Sequence, residues 1–367
     1  MLISFYLPQF HPIPENNQWW GPGFTEWTNV SAARPRFDGH HQPQIPADLG
    51  FYDLRLEETR IAQAALAARY GIGGFCYYHY WFNGKMLLDR PLNDLLASGK
   101  PDFPFCLCWA NENWTRAWDG LDRQVLISQE YTEEDADAHA DWFMSVFRDR
   151  RYIAINGRPL LLIYRPDHIP DSENMIRKWR AKAETAGFSG LYLCAVKSGL
   201  VTLDDGVLLS QGYDAIVDFQ PNRNDFPAAA TTRQVFYHLA RRLLPDALYQ
   251  SIKLHISANN IVDYHAMVEG LIKKEWPKDI RKFPCVFPSW DNTPRRNTPT
   301  IIQNNNPQVY CAWLRDSLLK VSTYPQNERI VFINAWNEWA EGCHLEPDRK
   351  HGHAFLQATR QAIDSAK

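Results

Sequence analysis

Short, almost continuously apolar runs recur along this chain, and each one ends at turn-forming or charged residues. Runs of this kind are typical of strands that are covered on both faces of a parallel sheet. The eight predicted strands are Leu2–Pro8, Ile72–Trp81, Phe105–Asn111, Leu160–Arg165, Leu191–Val196, Ala215–Gln220, Cys285–Trp290 and Ile330–Trp336. Their number and their apolar character indicate an α/β fold with a parallel sheet.

Helical patterns separate these strands. Leu54–Tyr70 is the clearest, because Ala and Leu recur at helical spacing and Gly71 follows as a stop. Glu133–Phe147 has Thr132 as its N-cap and acids in its first turn. Further helices are expected at Ser172–Ala186 (capped by Ser172), Thr232–Leu243, Val262–Lys274, Pro307–Leu319 and His353–Ala366, whereas Ser198–Gly212 is a short helix or a loop. This alternation predicts a closed (β/α)8 TIM barrel with long loops at its C-terminal face.

Length, charge and cysteine content narrow the function classes. The 367 residues fit a barrel with inserted loops, and no convincing linker divides them, so we expect one catalytic domain over 1–367. A net charge of −3 without a basic stripe argues against a nucleic-acid partner. No apolar run approaches the roughly 20 residues of a membrane span, and no signal peptide is visible. Seven cysteines, mostly in apolar runs, predict free thiols in the cytoplasm.

Polar and aromatic side chains are concentrated where the predicted strands end, which is where barrel enzymes build their active sites. The candidate substrate-binding residues are Tyr6, His11, Glu26, Trp27, Tyr78, His79, Tyr80, Trp109, Asn111, Glu112, Arg165, Lys197, Gln220, Trp290, Asp291, Trp336 and Asn337. Aromatic rings suit the C–H faces of sugars, and neighbouring polar groups suit their hydroxyls. The pattern favours an oligo- or polysaccharide substrate.

Three glutamates are candidates for the paired carboxylates that glycoside hydrolysis commonly uses. Glu338 and Glu341 follow the last strand, and Glu112 follows the third. On a helical turn the Cβ atoms of Glu338 and Glu341 would lie about 5–6 Å apart, whereas extended backbone would separate them by about 10 Å. Spacing alone also fits a solvated helix start for this pair, and a hydrogen-bonded corner for Glu112.

Other polar motifs have ordinary structural explanations. A core histidine is the simpler interpretation of His79, and Arg165 and Lys197 fit internal ion pairs as well as substrate contacts. The His40–His41 pair lacks a third ligand at useful spacing, so no metal site is expected. Asp135-Ala-Asp137 matches a metal motif of glycosyltransferases, but its helical context favours a solvated face. Pro8–Pro12 after the first strand cannot cradle a nucleotide phosphate, and we expect no cofactor.

Five long motifs resemble the WbsX family, whose members occur in bacterial O-antigen and surface-polysaccharide gene clusters. These motifs are Tyr6–Asn16, Trp19–Asn29, Tyr78–Phe82, Trp109–Trp114 and Asn334–Pro347. The resemblance extends over about residues 2–365. By fold and by the last motif, the family also looks like a remote relative of the family ninety-nine glycoside hydrolases, the endo-α-mannosidases.

The resemblance implies a mechanism. Glu338 would help a substrate 2-hydroxyl attack the anomeric carbon, and Glu341 would act as general acid and then as general base. Ala340 stands where the mannosidases tend to have a bulkier polar residue, which affects substrate identity more than mechanism. The expected activity is retaining, endo-acting hydrolysis of a bacterial glycan containing mannose- or rhamnose-like sugars. A glycosyltransferase of O-antigen assembly and a non-catalytic carbohydrate-binding barrel remain the alternatives.

Overall fold

A closed ring of eight parallel strands forms the centre of the computed structural model, which describes residues 1–116, 121–227 and 260–366. The strands, labelled β1 to β8 in chain order, are Leu2–Tyr6, Gly74–Phe82, Phe105–Trp109, Arg158–Ile163, Tyr192–Val196, Ala215–Asp218, Lys282–Val286 and Val331–Ile333. The first strand closes the ring, because Ile3 pairs with Gly74 of β2 and with Phe332 of β8. The predicted (β/α)8 barrel is confirmed.

Side chains alternate between the inside of the barrel and the layer beneath the helices, as the two-residue period of a strand requires. Phe5 points inward, and its ring centroid lies 5.1 Å from that of Phe219 on the opposite side. Tyr6 points outward, and its hydroxyl donates to Gln63 of the helix that covers β1 and β2. Both faces of each strand are therefore buried, which explains the continuously apolar sequence runs.

Ten helices lie within the described ranges. Labelled α1 to α10, they are Pro14–Trp20, Glu26–Ala32, Glu57–Arg69, Arg90–Ser98, Glu133–Val146, Ser172–Thr185, Asp205–Ser210, Tyr264–Lys273, Pro307–Lys320 and Ala354–Ser365. Thr132 caps α5 as predicted, since its side chain accepts from the backbone N–H of Asp135. None of these helices is long and apolar enough to cross a membrane.

Short strands add small sheets around the barrel. Asn260–Asp263, Thr300–Gln303 and Trp290–Asp291 form one of them, and Asn337–Glu338 pairs with Cys343–His344 directly after β8. The remaining short strands are Lys85–Leu87 beside β2, Ala154–Ile155 beside β4, and the pair Trp114–Arg116 and Leu121–Ile127. Most of these additions lie in segments that follow barrel strands, so they shape the C-terminal face.

The structure corrects several local predictions. Asp171, not Ser172, caps α6, because its carboxylate accepts the backbone N–H of Asn174. Asp135 is buried and accepts a hydrogen bond from Trp81 Nε1, so it does not belong to a solvated face. The segment after β1, for which the sequence predicts a long loop without helices, contains α1 and α2. The sequence patterns also do not predict α4. Residues 198–212 contain the short helix α7. The helix predicted over Thr232–Leu243 lies outside the described residues.

The seven cysteines are free, and six of them are buried. Cys76, Cys106 and Cys108 lie on neighbouring barrel strands, and burial raises the pKa of the Cys76 thiol well above its usual value. Because the thiolate is the reactive form of cysteine, a raised pKa keeps such a group inert. The prediction of free thiols in apolar surroundings is confirmed for these residues.

Candidate active site

Three glutamates meet at one arginine at the C-terminal face of the barrel. Arg295 Nη2 contacts Oε1 of Glu26, and it also lies 3.1 Å from Oε2 of Glu338. Arg295 Nη1 lies 3.0 Å from Oε1 of Glu341. We call these four residues the Arg295 cluster. They come from α2, from the loop after β7 and from the turn after β8, so three separate segments converge on one guanidinium.

The turn that contains Glu338 and Glu341 is a small hairpin. Asn337–Glu338 pairs with Cys343–His344, and residues 339–341 between them form a single 3-10 turn. The turn closes at Gly342, whose φ of +56° is in the left-handed region that favours glycine. The sequence left open whether the two glutamates lie on a helical turn or on extended backbone. A tight helical turn is what brings both carboxylates to the same guanidinium.

Asn337 fixes this hairpin to the end of β1. Its Oδ1 accepts the backbone N–H of Leu7 at 2.7 Å, and its Nδ2 donates to the carbonyl of Leu7 at 3.0 Å. The side chain is fully buried. Asn337 therefore acts as an internal brace, and its amide is occupied by the backbone rather than available to a substrate.

The two buried glutamates of the Arg295 cluster have raised pKa values. Burial raises the pKa of Glu338 to about 8; Arg295 opposes this shift, whereas Glu341 and Glu26 add to it. Burial also raises the pKa of Glu26, again against the effect of Arg295. The side chain of Glu341 is more open, with 25% of its surface exposed. A buried carboxyl with a raised pKa beside a second, more open carboxyl is the kind of arrangement that performs acid–base chemistry.

Two tyrosines of β2 border the cluster. Tyr78 stacks on Phe5, and its ring centroid lies 6.0 Å from that of Tyr164. Burial and the negative charge of Glu338 raise the pKa values of both Tyr78 and Tyr80. Both phenols therefore keep their protons at neutral pH, so each can donate a hydrogen bond to a substrate oxygen.

Glu112 lies in a separate ion-pair network. Arg165 Nη1 lies 2.9 Å from Glu112, and Arg165 Nη2 lies 2.8 Å from Asp167. Asn111 ties this network to the barrel, because its amide bonds both the N–H and the carbonyl of Arg165. The carboxylate of Glu112 is half-exposed. Burial first, and then the charges of Glu112 and Glu341, raise the pKa of Tyr164. Glu112 therefore lies close to the cluster without a contact to Arg295.

Trp290 and Asp291 follow β7 on the other side of the hairpin. Asp291 is buried, and its carboxylate accepts from His40, Gln42 and Thr293. These hydrogen bonds outweigh the effect of burial and lower the pKa of Asp291. Trp290 is half-buried beside it. His40 Nε2 lies 2.7 Å from Oδ2 of Asp291. The described residues include no group of three or more His, Cys, Asp or Glu side chains that could hold a metal ion.

Four residues that the sequence predicts as substrate-binding belong to the hydrophobic core instead. Tyr6 packs beneath α3; His79 stacks on Trp142 of α5; Trp109 contacts Trp179 of α6; and the fully buried Trp336 packs on Phe75. Their side chains point outward from the barrel, so they lie behind the strands and away from the Arg295 cluster. Burial lowers the pKa of His79 to about 3, which removes it as a proton carrier near neutral pH.

Four further candidates hold loops in place. His11 bonds the carbonyl of Pro8, and Trp27 donates to the carbonyl of Tyr52. Lys197 donates to the carbonyl of Leu203 and lies 3.8 Å from Asp205. Gln220 donates to Asp225. Of the predicted residues, the structure brings Glu26, Tyr78, Tyr80, Glu338 and Glu341 together, with Glu112, Arg165, Trp290 and Asp291 nearby.

Arg295 was not predicted. It lies in a proline-rich stretch, 43 residues from Glu338 and 269 residues from Glu26 along the chain. Only the fold brings these residues together. The one available sequence signal was an arginine in the loop after the seventh strand of a predicted barrel, where positive charge can face carboxylates from neighbouring loops.

A family model described as glycosyltransferase WbsX matches residues 2–359. The chain belongs to the WbsX family. It is 42% identical over all of its 367 residues to the uncharacterized protein WxcX in two strains of Xanthomonas campestris pv. campestris, ATCC 33913 and B100. The chain spans about half the length of these relatives.

Solved structures with the same fold include the glycoside hydrolase family 99 endo-α-mannosidase of Bacteroides thetaiotaomicron. Two structures of it match at TM-scores of 0.58 and 0.56 with 14% identity, covering 100% of this WbsX-family chain and 97% of theirs. A glycoside hydrolase-like protein matches at a TM-score of 0.57 with 13% identity, covering 98% of this chain and 93% of its own. At such identities the likeness supports the barrel fold alone.

Proposed function

We propose that this WbsX-family protein is a retaining, endo-acting glycoside hydrolase that cleaves a bacterial surface polysaccharide or O-antigen-type glycan. The observation that carries the proposal is the contact of both Glu338 and Glu341 with the guanidinium of Arg295. Retaining hydrolysis needs two carboxyl groups close together, and both groups of this pair reach one side chain. Mannose- or rhamnose-like sugars fit the proposal, because their 2-hydroxyl suits attack on the anomeric carbon.

In the first half of the proposed reaction, Glu338 removes the proton from the 2-hydroxyl of the reacting sugar. The freed oxygen bonds to the anomeric carbon as the glycosidic bond breaks, and Glu341 protonates the leaving oxygen. In the second half, Glu341 takes a proton from water, which attacks the anomeric carbon. The bond between the 2-oxygen and that carbon opens, and Glu338 returns its proton. Two inversions give net retention.

Arg295 has a distinct part in this proposal. Its charge stabilises the ionised forms of Glu26 and Glu338, and so opposes the effect of burial. Without that opposition, Glu338 would be protonated too tightly to serve as a base. Glu26 holds the guanidinium from the side opposite the hairpin, and it is a positioning residue for Arg295.

The second candidate is a glycosyltransferase, which the description of the family favours. A transferase would need a site for the activated donor, and the segment after β1 has the rigid sequence Pro8-Gln-Phe-His-Pro12 in place of a glycine-rich phosphate loop. For this reason hydrolysis is the first proposal.

Release of reducing ends from mannose- and rhamnose-rich bacterial polysaccharides tests the proposal. We expect release by the native protein and a decrease of about 10²–10⁴-fold in Glu341→Gln, the usual value of acid–base catalysis. Glu133→Gln is the matched control, because Glu133 is largely exposed and pairs with Lys178 at the surface. Sugar transfer from an activated donor by a protein that releases no reducing ends would support the glycosyltransferase instead.

A further inference from the structure

A polar cavity of about 260 Å³ lies directly beside the hairpin that contains Glu341. Its walls come from the loops after β1, β7 and β8, and they include His41, Gln44, Trp290, Gly342, Lys350 and His351. Gly342 follows Glu341 in sequence, so the cavity and the Arg295 cluster share one stretch of backbone. A sugar bound here would therefore be close to a sugar that reacts at Glu341.

The acidic groups of this cavity have their partners within the protein. Asp291 accepts from His40 and Gln42 through one oxygen and from Thr293 through the other. Asp348 accepts the backbone N–H groups of Lys350 and His351, and it also pairs with the ring of His351. Burial opposes ionisation of Asp348, but the bonds to His351 and the nearby ring of His344 lower its pKa to about 2. Both carboxylates are thus ionised but already satisfied.

Lys350 is an exposed cation for which the described residues provide no such partner. Its ammonium group forms no ion pair with any residue in the described ranges, although it lines the cavity. His41 is close enough to be affected by it: burial first, and the charge of Lys350 second, lower the pKa of His41. The positive charge of Lys350 therefore disfavours protonation of His41, whereas the charge of Asp348 favours it. Both basic side chains would attract an anion bound in the cavity that they line.

The rest of the lining suits a sugar ring. Trp290 is half-buried and offers an aromatic surface, and Gln303, Asn304 and Asn305 contribute amides or backbone groups for hydroxyls. Sites for drug-sized ligands have volumes of roughly 300–1,000 Å³. The volume of this cavity lies just below that range and suits one sugar unit.

We propose that this cavity binds an anionic substituent, a carboxylate or a phosphate ester, on the glycan unit adjacent to the one that reacts. The proposal rests on the proposed function and narrows its substrate class from neutral to acidic glycans. Lys350 and His41 recognise the charge, Trp290 contacts the ring, and the shared backbone at Gly342 sets the distance from this unit to Glu341.

Binding of simple sugars to the intact chain tests this proposal without any catalysis. The probes are D-glucuronate, glucose 6-phosphate and D-glucose, titrated calorimetrically at low and high NaCl. We expect at least one of the acidic probes to bind about fivefold more tightly than glucose, near the upper limit for an exposed ion pair. Salt should reduce the preference. The better of the two acidic probes identifies the carboxylate or the phosphate ester as the natural group.

Two lysine variants make the test specific. Lys350→Gln should bind the acidic probe and glucose with equal affinity, whereas Lys273→Gln, at an exposed helical ion pair with Glu269, should keep the preference. Equal affinities in the native protein, no binding of any probe, or an unchanged preference in Lys350→Gln would overturn the proposal. Reducing-end release measures the proposed function separately: cleavage without anion preference overturns only this inference, and anion preference without cleavage overturns only the hydrolase.

Discussion

Arg295 Nη2 lies 3.1 Å from Oε2 of Glu338, and this contact joins the loop after β7 to the hairpin after β8. The same guanidinium holds Glu341 and Glu26. The two buried carboxyl groups, those of Glu26 and Glu338, therefore depend on one cation for their charge state. The proposed chemistry depends on this balance, because burial alone would keep Glu338 protonated.

Arg295→Met should destabilise the protein by about 3–5 kcal/mol near pH 8, the usual cost of leaving a buried charge without its partner. The loss should be smaller at pH 5. A carboxyl whose folded pKa is raised holds a proton that the unfolded chain has released, so its cost grows as the pH rises from the unfolded value towards the folded one. Denaturant unfolding at both pH values measures this.

Arg150→Met provides the comparison, since Arg150 forms an exposed pair with Asp102. It should leave the unfolding midpoint nearly unchanged at both pH values. Equal small losses in the two variants would show that the Arg295 cluster does not hold charged carboxylates.

The pH dependence of kcat/KM should reveal the ionisation of Glu338. Burial raises its pKa to about 8. The proposed reaction needs one proton on the pair, held by Glu341 while Glu338 is ionised, and the pair loses this proton as the pH rises above about 8. We therefore expect kcat/KM to decrease along a limb near pH 8, since the ionisations of the free enzyme appear in such profiles as values of the coupled pair. A kcat/KM that keeps increasing above pH 8 would contradict an acid–base pair formed by Glu338 and Glu341.

Gly342→Ala should damage both stability and activity. At a φ of +56°, an added Cβ would lie 2.7 Å from Nε2 of Gln44 and 2.9 Å from the backbone N and O of Asp291. Left-handed strain costs about 1–2 kcal/mol, and the clash adds about 1–3 kcal/mol. Because Glu341 precedes this residue, a displacement of about 1 Å should lower kcat/KM by about 10²-fold.

Gly352→Ala separates these two causes. Gly352 has a φ of +53°, but an added Cβ there would meet no atom within 4 Å. It should show the strain alone, with activity retained. If both variants lost the same stability in thermal unfolding and both kept full activity, the close packing at Gly342 would have no part in placing Glu341.

The barrel could be predicted because its strands are buried on both faces, which gives continuous apolar runs with polar residues at their ends. That same continuity hides which face of a strand each side chain occupies. Phe5 points into the barrel and Tyr6 away from it, and nothing in the apolar run distinguishes them. For this reason Tyr6 was assigned to the substrate side, and His79 was retained there as a candidate.

The central glutamates could be proposed from the sequence, but the residue that joins them could not. Glu338 and Glu341 are three residues apart and follow a recognisable strand, whereas Arg295 lies in a loop without periodicity. Its position depends on the small sheet formed by Trp290–Asp291 and Thr300–Gln303, a long-range arrangement that local propensity does not encode. The same limit applies to the cavity beside Gly342, whose walls come from three separate loops.

The most direct test of the proposed hydrolase is NMR of the first sugar anomer released from a mannose- or rhamnose-rich bacterial polysaccharide, with Glu341→Gln in parallel. We predict a first-formed anomer with the configuration of the cleaved linkage, and its loss in the variant. An inverted first anomer, or the same anomer released at full rate by Glu341→Gln, would contradict the assignment of Glu338 and Glu341 as the retaining pair.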